Sequence, residues 1–100
     1  MYYNGDNAQQ SVIGWGSRGW IEIIENILET CENAHLKTHI MYRCNLNSKQ
    51  IEQYIQLLQK HNLIESIQKS SSKRYIFKTT DIGRKYVEAY KQLESVFKQD

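Results

Sequence analysis

The hydrophobic period of this chain changes twice, and those changes constrain its element order more than any single residue does. Trp20, Ile23, Ile24, Ile27, Leu28 and Cys31 recur at spacings of three and four. That spacing places them on one face of a helix. The helix starts near Ser17, a side-chain type that caps N-terminal amides, and runs to about Asn33. Glu22, Glu25, Glu29 and Glu32 cover the other side and read as solvated. Asn33-Ala34-His35 ends the helix. A short second helix covers Lys37 to Arg43 or Cys44, with Ile40, Met41 and Cys44 facing inward. Asn45-Leu46-Asn47 is a turn, and Asn47 or Ser48 caps a third helix that runs to about His61. With 100° of rotation per residue, Ile51, Tyr54, Ile55 and Leu58 share one side of it. Lys49, Gln53, Gln56 and Lys60 share the opposite side, with Glu52 at its edge. Asn62 suits a left-handed C-cap.

At Leu63 the helical period stops. Leu63–Gln68 alternates weakly, and Arg74–Lys78 is β-branched and aromatic, so two strands are predicted. The polar run Lys69-Ser70-Ser71-Ser72-Lys73 joins them as a basic turn. The helical period returns after Thr79-Thr80-Asp81, which caps a last helix reaching about Lys98. Gly83 falls in its first turn. Three helices, a hairpin and a helix is the order of a winged helix-turn-helix, a mainly α fold with a small β-hairpin. Residues 1–16 carry three of the five glycines and no period. They read as a flexible tail. Residues 17–80 form the winged domain, and 81–100 a C-terminal dimerisation helix.

The size of the chain, 100 residues, suits one domain. No apolar run approaches the roughly 20 residues of a membrane helix. The first residues lack the basic and apolar segments of a secretory signal. Two cysteines do not make a disulfide framework, so a reduced cytoplasmic setting is expected. The net charge of +2 conceals a strong asymmetry. Residues 1–36 hold one cation against five acids, a net of −4. Residues 37–85 hold ten cations against three acids, a net of +7, and residues 86–100 return −1. The basic block coincides with the helix-turn-helix and the wing. Cations placed on phosphates release counterions, the main source of non-specific affinity for nucleic acid.

The third helix has the chemistry to read a duplex. Gln53 and Gln56 suit adenine edges, and Lys49 suits guanine or a phosphate. Asn47 and Ser48 lie at the helix N-terminus, where backbone amides favour anions. Lys60 continues the basic stripe. Lys37, Tyr42 and Arg43 from the second helix, with Lys69, Lys73 and Arg74 from the wing, complete the expected contact set.

The segment Thr38-His39-Ile40-Met41-Tyr42-Arg43-Cys44-Asn45-Leu46-Asn47, followed by Gln50-Ile51, Tyr54-Ile55, Leu58, Leu63-Ile64, Tyr75, Thr79-Thr80 and Gly83-Arg84, carries a family likeness. Over residues 18–95 the chain resembles the small archaeal winged-helix DNA-binding proteins. The resemblance implies DNA binding as a homodimer held by C-terminal coiled-coil helices, in some cases with a chromatin-like role. It implies duplex contacts by Lys49, Gln53 and Gln56 and by Lys73 and Arg74.

On the last helix, Tyr86, Tyr90, Leu93 and Phe97 recur at four, three and four. That is a short a/d seam, and Val96 extends it. These five residues are the expected dimer interface. Cys31, His35, His39, Cys44 and His61 lack zinc-site spacing, so no metal and no cofactor is expected. No phosphate-cradling glycine loop, nucleophile elbow or carboxylate pair points to an enzyme. The expected partner is double-stranded DNA, bound by a nucleoid-associated transcriptional regulator. An architectural chromatin protein and a protein–protein winged helix are the alternatives.

Overall fold

The computed structural model describes residues 19–68 and 74–98. Their order is α1 (Trp20–Thr30), β1 (His35–Leu36), α2 (Lys37–Arg43), α3 (Ser48–Lys60), β2 (Ile64–Gln68), β3 (Tyr75–Thr79) and α4 (Asp81–Phe97). The expected tail and the basic turn Lys69–Lys73 lie outside the described residues.

The helical readings hold with local changes. α1 is capped by Gly19, with no side-chain cap, rather than by Ser17. It also ends three residues before Asn33. Trp20, counted with the buried stripe, is 62% exposed, because the helix begins there and its first turn overhangs the core. The rest of the stripe is inside: Ile23, Ile24, Ile27, Leu28 and Cys31 pack with Ile40, Cys44, Leu46, Ile51, Ile55, Leu58, Ile64 and Phe77.

α2 and α3 end in the same way. The Leu46 amide donates to the Met41 carbonyl at 2.9 Å and the Asn45 amide to Tyr42 at 3.2 Å. The Leu63 amide donates to Leu58 at 2.8 Å and the Asn62 amide to Gln59 at 3.1 Å. Each set is a Schellman motif, which satisfies two orphan carbonyls and requires a left-handed residue after the cap. Asn45 (φ 59°) and Asn62 (φ 61°) supply it. The leucine that follows each asparagine is then directed onto the core.

The hairpin is part of a three-stranded antiparallel sheet of order β1-β3-β2. β1 was not foreseen: two residues cannot show a period, and the strand exists only because His35 and Leu36 pair with Phe77 and Ile76. β3 alternates from the core face, with Phe77 and Thr79 buried, to the outer face. There Leu36, Ile76 and Ile67 form one cross-strand row. Thr79 ties the sheet to α1: its amide donates to Cys31 O at 2.8 Å and its hydroxyl to Leu28 O at 2.7 Å. Both acceptors lie in the last turn of α1 or just past it, where carbonyls need partners from outside the helix.

α4 starts at Thr80, whose hydroxyl accepts from the Gly83 amide at 3.1 Å and donates to Asn62 O at 2.6 Å. Gly83 presses against the chain leaving α3. A Cβ there would lie 2.6 Å from Thr79 Cγ2 and nearer still to the Leu63 carbonyl oxygen. No described helix is long and apolar enough to cross a membrane.

Candidate nucleic-acid interface

α3 is positioned from both ends. Asn47 Oδ1 accepts from the Gln50 amide at 2.8 Å, and Gln50 Oε1 accepts from the Asn47 amide at 2.9 Å. This reciprocal capping box fixes the helix start. It also means that Asn47, expected on phosphate, uses its side-chain oxygen and its amide within the cap. The Asn-x-x-Gln spacing was the available signal for it. Ile51, Ile55 and Leu58 anchor the buried face. Ser48, Lys49, Gln53, Gln56 and Lys60 all lie exposed, and the last four form one stripe on the opposite side. Glu52 is the only acid on α3. It forms an ion pair with Lys37 of α2, so it is drawn off the stripe toward the neighbouring helix. The same pair removes Lys37 from the cations that face outward unpaired.

The remaining expected contacts divide. Tyr42 is 77% exposed at the end of α2. Arg43 lies elsewhere: it lines a groove of about 750 Å³ with Glu29 and Glu32 of α1 and Arg84, Glu88 and Lys91 of α4. Arg74 is exposed at the root of the wing. Lys69 and Lys73 fall outside the described residues. The basic block is therefore less uniform than its sum. Arg84 pairs with Glu32 at 3.1 Å and with Asp81, on the α1 side of the domain.

The α4 seam also divides. The Tyr86 hydroxyl donates to the Ile21 carbonyl at 2.9 Å, and Tyr90 is 6% exposed against its own chain. Burial pushes the Tyr86 phenol up to about 12. Leu93, Val96 (61%) and Phe97 (69%) stay exposed beyond the body of the domain.

The acids of α1 are only in part the solvated row that their spacing implied: Glu29 and Glu32 are exposed, Glu22 is half-buried and Glu25 is inside. α4 crosses that flank. Glu25 is buried, Glu29 bonds Lys91 at 2.8 Å and Glu32 bonds Arg84. Burial, then the adjacent Glu29 charge, push the Glu25 carboxyl up to about 7. The heptad-spaced Arg84 and Lys91 facing Glu32 and Glu29 were the legible sign of this packing.

Cys31 and Cys44 are both buried and unbridged. Burial and the nearby Cys44 raise the Cys31 thiol to about 12, which suits a packing role rather than a reactive one. The His35 and His39 rings lie 6.0 Å apart, centre to centre. Among the described residues no group of three or more His, Cys, Asp or Glu is arranged to hold a metal.

Comparison with curated protein sequences gives no match. Solved structures do match. A DNA-binding protein from Sulfolobus solfataricus, Sso10a-2, aligns at a TM-score of 0.72 and 22% identity over 81% of this chain and 83% of that one. MepR, a transcription regulator of a Staphylococcus aureus multidrug efflux pump, aligns at 0.68 and 15% identity, over 79% of this chain and 58% of that one. The adhesin competence repressor AdcR of Streptococcus pyogenes aligns at 0.65 and 13% identity, over 75% and 56%. The chain thus spans under two thirds of these two regulators but most of the archaeal protein. A family model described as winged helix-turn-helix matches residues 17–98, the span that holds α1 to α4 and the wing. The chain belongs to the winged helix-turn-helix family.

Proposed function

We propose that the chain binds double-stranded DNA as a homodimer and regulates transcription. α3 enters the major groove and the wing lies on the adjacent backbone. The carrying observation is the exposed stripe Lys49, Gln53, Gln56 and Lys60, with the one acid of its helix turned aside by Lys37. The stripe supplies phosphate-directed charge and base-edge donors and acceptors on one surface. The Sulfolobus relative is a DNA-binding protein and MepR is a transcription regulator, and both support this reading. Tyr42, Ser48 and Arg74 contact the backbone, and Lys69 and Lys73 extend the wing contact. A nucleoid-associated, cytoplasmic location follows from such a partner.

The homodimer rests on the end of α4. Leu93, Val96 and Phe97 make an exposed apolar patch of the kind that marks an interface. A two-fold pairing of α4 is the simplest arrangement that covers it. Tyr86 and Tyr90 support it from inside their own chain.

The test is duplex binding at several salt concentrations, with selection of bound sequences from a random pool. Binding that weakens steeply with salt is expected. Lys49→Ala lowers that slope by about one, whatever the sequence bound. Gln53→Ala costs about 1–3 kcal/mol at one base position. A chain with no salt-dependent binding is a protein–protein module instead. A salt slope with no enriched sequence is the architectural case.

A further inference from the structure

Among the described residues Glu25 is the only carboxylate, lysine or arginine classed as buried, at 6% exposure. It lies on the flank of α1 that α4 covers. Its carboxyl is within hydrogen-bond reach of Glu29, one turn on. Glu29 in turn accepts from Lys91 Nζ of α4 at 2.8 Å. The three side chains form a relay across the helix seam. Two carboxyl groups share a hydrogen bond only while one of them keeps its proton.

The surroundings decide which one keeps it. Burial, then Glu29, push Glu25 up to about 7, with Lys91 acting in the opposite sense. The Lys91 bond holds Glu29 below the usual carboxylate value. Glu22, also from α1, has a buried Oε1 with no partner. From α4 the seam receives Lys91, Tyr86, Tyr90 and Glu94, the last paired with Lys98 at 3.5 Å. The Tyr86 hydroxyl is committed to Ile21. Glu25, Glu29 and Glu94 therefore act on one lysine, Lys91, while Glu22 adds a further charge beside Tyr90.

We propose that the Glu25–Glu29–Lys91 relay is a proton-operated latch between α1 and α4. It is closed while Glu25 donates its proton to the Glu29 carboxylate, and released when that proton leaves to water. After release, two adjacent carboxylates compete for Lys91 at a seam that Glu22 and Glu94 already make acidic. α4 carries Leu93, Val96 and Phe97, so the latch sets how this apolar end is presented. On the dimer reading above, it makes pairing of two copies, and with it duplex affinity, stronger on the acid side of neutrality.

The experiment uses the full chain. Carboxyl ¹³C shifts of the glutamates are followed by NMR from pH 4 to 9, and urea unfolding is measured at pH 6 and pH 8 for the wild type and Glu25→Gln. The carboxamide keeps a donor facing Glu29 at every pH. Glu25 is expected to titrate near 7. A midpoint of about 7 against an ordinary 4.5 lowers the folding equilibrium constant about tenfold from pH 6 to pH 8. That tenfold loss is expected in the wild type relative to Glu25→Gln, with every contribution common to the two proteins cancelling in the comparison. Titration of Glu25 near 4.5, or equal pH dependence in the two proteins, overturns the latch. If Glu25→Gln does not fold, the wild-type titration decides alone. Sedimentation at both pH values separates the two readings. A monomer whose Glu25 still titrates near 7 refutes the dimer and supports the latch.

Discussion

Replacing Gly83 with alanine sets two effects of known sign against each other. Gly83 does not have a left-handed backbone and sits in the first turn of α4, so alanine would ordinarily add stability. The gain in helix propensity and in the unfolded state is about 0.5–1 kcal/mol. Against this, the new methyl would lie 2.6 Å from Thr79 Cγ2 and closer to the Leu63 carbonyl oxygen. Neither neighbour can give way cheaply. The Leu63 carbonyl accepts from the Thr80 amide at 3.1 Å, and the Leu63 amide closes the α3 Schellman motif. Thr79 is held by its two bonds to the end of α1. Overpacking a fixed site costs about 1–3 kcal/mol. The net expectation is a loss of about 1–2 kcal/mol. In urea, with a slope near 1 kcal/mol/M, the midpoint should fall by about 1–2 M. Circular dichroism at 222 nm reads it. Gly19→Ala is the control: no atom lies within 4 Å of that added methyl, so only the weaker cap preference is lost. An unchanged or higher midpoint for Gly83→Ala would refute the close approach of α4 to the Leu63 carbonyl.

Three further outcomes are expected. Asn47→Ala removes the side-chain half of the capping box, the Oδ1 acceptor of the Gln50 amide, while the backbone amide of residue 47 can still donate to Gln50; it should cost about 0.5–2 kcal/mol in urea unfolding, with the start of α3 fraying first in hydrogen exchange. Asn62→Gly should keep or raise the midpoint, because glycine accepts φ 61° more easily, whereas Asn62→Val should lower it by about 1–2 kcal/mol. The acid limb of stability should depend on Glu29. Its carboxyl is depressed in the fold by the Lys91 bond, so its contribution is present above the ordinary 4.5 and is lost as pH falls through the lower folded value. Glu29→Gln should therefore flatten the decline below about pH 4.5 in thermal melts.

α1 and α3 were legible because each buries a long periodic face. Thirteen residues of α3 offer four inward positions, enough to distinguish a period of 3.6 from one of 2. Asn62 was legible too, since few residues accept a left-handed backbone after a helix. β1 was not, because it is defined by its partner strand rather than by its own residues. The reading of the α1 acids failed at Glu25 for a related reason. A helical wheel separates apolar from polar faces, but it does not tell which polar flank a later helix will cross. Complementary charge on two helices, Glu29 and Glu32 against Lys91 and Arg84, carried that information between segments 50 or more residues apart. For the candidate interface, the α3 stripe was readable as chemistry, whereas the pairing of Lys37 and the different side taken by Arg43 depend on how α2 sits in the fold.

The small strand β1 has a mechanical consequence. It joins the start of α2 to the middle of the wing, while Thr79 joins the wing to the end of α1. The helix-turn-helix and the root of the hairpin are thereby braced like the arms of a fixed calliper. On the proposed duplex-binding role, such a gauge would approach a groove with its opening already set. Little ordering entropy is then left to lose at the root, and a groove of the wrong width is refused rather than accommodated.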